Sequence, residues 1–260
     1  MLFDTHMHCE FSCDSDMKLK EAVATARSLG IGMVVTEHWD YDYPRNPESF
    51  LFDLDAYFQN FEPFHSANVL RGIEIGMQRH TAAQDELVAA SRAFDFVLGS
   101  IHCIGKKDIY EPECYVGRER TEVIEEFLDD TIYCLETHDN FDAFAHIDYI
   151  CRYWPYEGAA RELRLKDNPA KFDRLFKLLI EGNKPIEINT RRLGDSEAAA
   201  GLLPLYQRYQ ELGGRYCTLG SDAHRVEHIG RDLAKALEIA RRVDLKPVYF
   251  RERKMQLMEL

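Results

Sequence analysis

Several things are scarce or missing in these 260 residues. The seven cysteines are odd in number and include no CxxC pair. That argues against a disulfide framework and against a thiolate zinc site. Most of the set Cys9, Cys13, Cys103, Cys114, Cys134, Cys151 and Cys217 are instead expected to pack as small hydrophobes. No apolar run approaches the ~20 residues of a membrane span. The opening MLFDTHMH lacks the basic start and apolar core of a signal peptide, so a cytoplasmic protein is expected. With no repeat, low-complexity tract or linker, one domain over residues 1–260 is expected. Positive charge is short: 32 Lys and Arg stand against 45 Asp and Glu, a net −13. Such a surface repels nucleic acid and anionic membranes, and neither is expected as a partner. A phosphorylated substrate is an anion too, so a site for one must be made positive locally, as bound divalent metals would do.

What is present is a regular alternation. Seven short runs rich in Val, Ile, Phe and Tyr span 2–6, 31–37, 69–75, 94–101, 141–147, 185–189 and 216–220. Several are apolar almost throughout, which suits parallel strands buried on both faces. Helical periodicity fills most of the gaps, at 17–29, 81–93, 120–137, 169–181, 197–212 and 231–242; the first of these stops at Gly30. The stretch between the second and third strands is longer and less regular. Strand and helix in alternation predict an α/β fold with a parallel sheet, and seven units in this length favour a barrel over an open sheet.

The chemistry follows from where histidines and carboxylates fall. His6 and His8 close the first strand, His38 the second, Glu74 the third, His102 the fourth, His146 the fifth, and Asp222 and His224 the seventh. In a βα barrel those ends converge on one face, where active sites form. One histidine after a strand is most often an ordinary loop residue, and His-x-His alone is a weak motif. Eight such residues on six strands are hard to obtain by chance. Residues i and i+2 of a strand share a side, so both imidazoles of His6 and His8 can reach one ion. Imidazole with carboxylate suits zinc, iron or manganese. His65, His80, His138 and His228 lack this placement and are read as ordinary.

The segments DTHMHCEFSCDS, VVTEHWD, GIEIG, FDFVLGSIH, FAHIDYI, IEINTRR and LGSDAH occur in that order over residues 4 to 224. With them the chain resembles the PHP (polymerase and histidinol phosphatase) family, in its stand-alone phosphatase branch. The resemblance implies a distorted (β/α)7 TIM-like barrel carrying two or three divalent metal ions. It implies that His6, His8, Glu74 and Asp222 hold the first ion, and that Glu74 bridges to a second held by His102 and His146. A third would take His38, His224 and Asp14, where many members have histidine; Asp16 is the alternative if the loop register differs. The implied reaction is hydrolysis of L-histidinol phosphate, a step of histidine biosynthesis.

Phosphate monoesters hydrolyse extremely slowly unaided. Two nearby metals would acidify a water to hydroxide for in-line attack on phosphorus, clamp the phosphoryl oxygens and stabilise the leaving oxygen. Glu74 would fix the metal separation, and Asp222 and His224 stand nearest as proton donors, though both are also expected ligands. Cys103 follows His102, but strand alternation turns it from the ligand side. Guanidinium matches phosphate with paired donors. Arg152 follows His146, and Arg191 and Arg192 end the sixth strand, which bears no ligand; Arg152 and Arg192 are favoured, Arg191 being the alternative. Glu37, Asp40 and Asp148 flank ligands and would orient imidazoles or cap helices. The many aromatics after strands two and five either shape specificity or pack the insertion. Other readings are a phosphoesterase acting on phosphotyrosine, sugar phosphates or nucleotides, a carbon–nitrogen hydrolase of the amidohydrolase kind, and a non-catalytic metal-stabilised module. Glu74 in the bridging position argues against the amidohydrolase, which often bridges its metals with a modified lysine.

Overall fold

The computed structural model describes residues 1–259, the side chain of Ala159 apart. Seven parallel strands follow one another around a barrel: β1 (Phe3–Asp4), β2 (Gly32–Trp39), β3 (Val69–Gly76), β4 (Phe96–Ser100), β5 (Ala143–Phe144), β6 (Ile186–Asn189) and β7 (Tyr216–Gly220). Helices α1 (Leu19–Leu29), α2 (Leu54–Phe61), α3 (Ala82–Ser91), α4 (Arg120–Thr137), α5 (Pro169–Glu181), α6 (Ser196–Glu211) and α7 (Leu233–Arg242) connect them. Strands β3 and β4 are buried along their whole length, as a sheet covered on both faces requires. Among the described residues no helix is long and apolar enough to cross a membrane.

The barrel closes between its first and last parallel strands. Thr5 N–H donates to Leu219 O at 2.9 Å, Asp222 N–H to His6 O at 2.8 Å and His8 N–H to Ala223 O at 2.8 Å. Met7 and Ala223 form a parallel bridge beyond the strand ends. Past Asp4 the extended chain stays between its two neighbours: Met7 O accepts from Thr36 N–H of β2 at 2.8 Å, while Thr5 N–H and His8 N–H bond to the end of β7 and the segment after it.

Two further strands, β8 (Lys246–Arg251) and β9 (Lys254–Leu257), form an antiparallel hairpin that sequence reading did not anticipate. β8 pairs in parallel with the start of β7, Lys246 opposite Tyr216 and Pro247 opposite Cys217. The edge of β7 is thus divided, β8 taking its beginning and β1 its end, and that division distorts the barrel. Tyr249 stacks on Phe3 with ring centroids 4.0 Å apart, fastening the hairpin under β1. The hairpin was hard to read because its turn residues Glu252 and Arg253 adopt positive φ without glycine or asparagine. The irregular stretch between β2 and β3 contains α2, whose first turn is capped by the Asp53 carboxylate accepting from Asp55 N–H and Ala56 N–H.

Candidate metal centre

Parallel register does much of the assembly. His38 on β2 is the cross-strand neighbour of Glu74 on β3. Closure of β1 onto β7 interleaves His6 and His8 with Asp222 and His224. Glu74, fully buried, is the centre. Its Oε2 lies 3.2 Å from His6 Nε2, 3.3 Å from His8 Nε2 and 3.0 Å from His38 Nδ1. Its Oε1 lies 3.3 Å from His102 Nε2 and 2.9 Å from His146 Nε2. Asp222 Oδ1 stands 3.7 Å from His6 Nε2 and 3.5 Å from His8 Nε2. Asp14, on the loop after β1, faces His224 Nε2 at 3.2 Å and His38 Nε2 at 3.6 Å. The structure therefore brings all nine candidate ligands to one place. His38 touches both Glu74 and Asp14, standing between the first group and the third. Asp16 is exposed and takes no part.

The partners behind the rings say what the cluster needs. His6 Nδ1 faces Glu187 Oε1 at 2.7 Å, and His102 Nδ1 faces Asp40 Oδ1 at 2.7 Å. His8 Nδ1 faces Ser12 Oγ at 3.2 Å, and that hydroxyl donates to Glu37 Oε2 at 2.5 Å. Each partner accepts a proton from Nδ1, so each Nε2 turns a lone pair inward. The lone pairs of His6 and His8 then meet at 3.1 Å, and that of His102 meets the Glu74 carboxylate. Among the described residues, buried Glu74 Oε2, His38 Nδ1 and His102 Nε2 find no hydrogen-bond partner. Lone pairs in mutual contact repel unless a cation lies among them, so the donor set fits divalent metal ions. Without a metal the carboxylates recruit protons instead. Burial opposes charge on His6, yet Glu187, Glu74 and Asp222 push its pKa well above the ordinary histidine value. Burial and the neighbouring His38 and His224 rings push His8 well below it. Burial would raise Glu74, but His6, His38 and His102 hold it well below the carboxylate range.

Two glycines make room for the supporting carboxylates. A β-carbon at Gly76 would fall 1.5 Å from Asp40 Oδ1, and one at Gly220 would fall 2.1 Å from Glu187 Oε1 and 2.4 Å from His6 Cβ. Asp222 itself sits at φ 55°, a left-handed conformation that aspartate tolerates better than most residues.

Of the flanking acids, Asp40 orients an imidazole directly. Glu37 acts at one remove: its carboxylate also accepts from Cys9 N–H and Ser12 N–H, fixing the loop, and burial pushes its pKa up to about 7. Asp148 serves Arg192. Sequence reading missed Glu187, Asn189 and Ser12. Glu187 had a signal, a charged residue inside an otherwise apolar strand with Asn189 two positions on. Asn189 Nδ2 donates to Glu187 Oε2 at 3.0 Å, and Arg152 Nη2 donates to Asn189 Oδ1 at 3.1 Å.

The arginines divide unexpectedly. Arg152 Nη1 donates to Asp222 Oδ2 at 2.6 Å, against the cluster. Arg191 Nη1 lies 3.1 Å from Asp222 O and 3.2 Å from His224 Nδ1, with its side chain 36% exposed. Arg192, favoured from sequence, is committed to Asp148 Oδ2 at 2.8 Å and Glu162 Oε1 at 2.6 Å. Cys103 is buried, and burial pushes its thiol well above the usual range. His65, His80 and His138 pair with Asp95, Asp42 and Asp85, apart from the cluster.

Residues 4–191 match the PHP domain. The chain belongs to the PHP family. The probable histidinol-phosphatase of Clostridium acetobutylicum is 40% identical over 256 residues, covering 98% of this chain and 99% of that protein. The histidinol-phosphatase of Lactococcus lactis is 28% identical over 85% of this chain and 83% of its own. A crystal structure of histidinol phosphate phosphatase from Lactococcus lactis, complexed with zinc, L-histidinol and phosphate, superimposes with a TM-score of 0.92 at 26% identity and covers 98% of both chains. In this PHP chain, replacement of Gly76 by alanine is expected to displace Asp40 and loosen His102. Metal affinity should fall about 10- to 100-fold, the usual cost of losing a ligand's outer partner, with the fold intact. Gly194→Ala, whose β-carbon would meet nothing closer than 3.6 Å, is the control. Metal retention during dialysis against a chelator reads both.

Proposed function

We propose that this chain is a metal-dependent phosphomonoesterase that hydrolyses L-histidinol phosphate to L-histidinol and phosphate in histidine biosynthesis. The observation that carries the chemistry is Glu74, a buried carboxylate whose two oxygens divide five imidazoles between them. The substrate is carried by relatives named for it over nearly the whole chain. In this reading residues 1–260 form one domain. His6, His8, Glu74 and Asp222 hold one ion, Glu74, His102 and His146 a second, and His38, His224 and Asp14 a third. Bound there, divalent ions supply Lewis acidity toward water, phosphoryl oxygens and the leaving oxygen. Zinc, iron and manganese all suit this donor set.

The chain's own residues do the rest. Glu187, Ser12 and Asp40 hold His6, His8 and His102 by Nδ1, which leaves the Nε2 lone pair of each of these three rings for a metal. Arg152 and Arg191 stand on the Asp222 side of the cluster, where their guanidiniums receive phosphoryl oxygens. Arg192 acts differently: it neutralises Asp148 and Glu162 and supports the loop after β6. Asp222 Oδ2 is occupied by Arg152. That leaves His224, partly exposed beside Arg191, as the better-placed source of a proton for the departing alcohol in the state where it does not hold the third ion. No covalent intermediate is needed, and no buried thiol is asked to provide one. Seven unpaired cysteines suit the reducing cytoplasm, and the acidic chain has no use for nucleic acid.

Protein reconstituted with metal should release phosphate from histidinol phosphate in strong preference to phosphotyrosine and a neutral-ring aryl phosphate, and Glu74→Ala should abolish turnover while circular dichroism stays native. Equal slow rates on all three substrates would overturn the substrate assignment, and wild-type turnover in Glu74→Ala would overturn the chemistry. The arginines separate in steady-state kinetics. Arg152→Ala and Arg191→Ala should raise KM about 10- to 100-fold, as loss of a hydrogen bond to a charged group does. Arg192→Ala should chiefly lower the melting temperature, because it leaves two buried carboxylates unpaired.

A further inference from the structure

Asp108 bears a charge that no cation of the described residues answers. Its side chain is nearly buried. The Tyr43 hydroxyl donates to Oδ2, and Tyr110 N–H donates to Oδ1 at 2.8 Å. Both donors are neutral, so a buried carboxylate is left without an ion pair, an arrangement that costs stability.

Its position is not remote from the chemistry. The chain leaves His102 into a short antiparallel pair, Cys103–Ile104 with Lys107–Asp108, and Ile109 N–H returns to His102 O at 2.9 Å. Two files of aromatic rings run outward from the candidate ligands. From His38 the Phe50 ring lies 5.4 Å away edge-on, and Tyr43 a further 4.6 Å. From His102 the Tyr149 ring lies 4.9 Å away, followed by Tyr153 at 5.4 Å and Tyr110 at 5.0 Å. The first file ends on Asp108 through the Tyr43 hydroxyl, the second through the Tyr110 amide. These rings are half-buried, with Tyr110 59% exposed. Ring faces attract cations, and a carboxylate where two such files meet adds a full opposite charge.

We propose that Asp108, at the meeting point of these files, binds the cationic group of the leaving alcohol and so selects small, positively charged phosphomonoesters. The inference rests on the phosphatase reading above and adds the residue that recognises the alcohol. It also accounts for a conflict in the charge pattern. Arg152 and Arg191 attract the phosphate end, while Asp108 holds the opposite end of the same molecule.

The alternative is that Asp108 only fixes the loop. Asp108→Asn separates the two, since the amide oxygen still accepts a hydrogen bond from Tyr110 N–H or Tyr43 while the charge is lost. In the metal-loaded enzyme, kcat/KM for histidinol phosphate should fall about 10- to 100-fold, mostly through KM, as loss of a charged hydrogen bond predicts. The rate on p-nitrophenyl phosphate, whose leaving group is not cationic, should stay within about twofold, well under the tenfold that one lost charge contact is worth. Tyr43→Phe should shift the same ratio in the same direction by less. Equal losses on both substrates, or none on either, would overturn the proposal. Should the wild-type enzyme show no preference for histidinol phosphate, that reading of the substrate fails by itself. The same variants are then compared on O-phosphoethanolamine and p-nitrophenyl phosphate. Selective loss on the cationic ester would still support Asp108, and its absence would refute it.

Discussion

A carboxylate buried at the centre of five imidazoles dictates the rest of this molecule. Glu74 cannot be hydrated, and its neighbours point lone pairs at it and at one another. Such an arrangement persists only if cations fill the gaps or if protons take their place. The strongly displaced histidine pKa values mark the second condition. The barrel is the device that imposes the crowding. Parallel register sets His38 beside Glu74, and closure of β1 onto the end of β7 adds His6, His8, Asp222 and His224. Residues more than two hundred positions apart meet because backbone hydrogen bonds, not side-chain attraction, bring them there.

The second layer turns crowding into order. Asp40 and Glu187 each grip one imidazole from behind, and each occupies space that any residue but glycine at Gly76 or Gly220 would fill. Glu187 also accepts from His146 N–H at 2.9 Å and from Asn189, which in turn receives Arg152. Arg152 closes the circuit on Asp222. The candidate metal ligands and Arg152, the arginine proposed to bind phosphate, are thus linked through one hydrogen-bonded ring, and a displacement of any member is felt by the others. Such rings are worth more than their separate bonds when fully satisfied.

Much of this was legible in the sequence, for a physical reason. A buried parallel strand is nearly all apolar, so a histidine or glutamate at its end stands out, and the family resemblance fixed which ends matter. What escaped notice had no such contrast or depended on side-chain direction. Glu187 does stand out as a charge within the run of β6, but that strand carries no histidine, and which group it serves appears only when His6 arrives from the far end of the chain. Arg191 and Arg192 follow the end of β6, where strand alternation no longer sets direction; the structure sends Arg192 to Asp148 and Glu162 and leaves Arg191 beside Asp222. The hairpin β8–β9 hid behind a turn that uses Glu252 and Arg253 in left-handed conformations. Asp14 and Asp16 were separated only by the loop fold that Glu37 and Ser12 impose.

The most direct test is elemental analysis of the purified protein after removal of its metals and reloading with a divalent ion. Two or three ions per chain, lost together with the far-ultraviolet spectrum unchanged, are what a carboxylate shared among five imidazoles predicts. A protein that takes up none, or a single ion, would contradict the account at its centre.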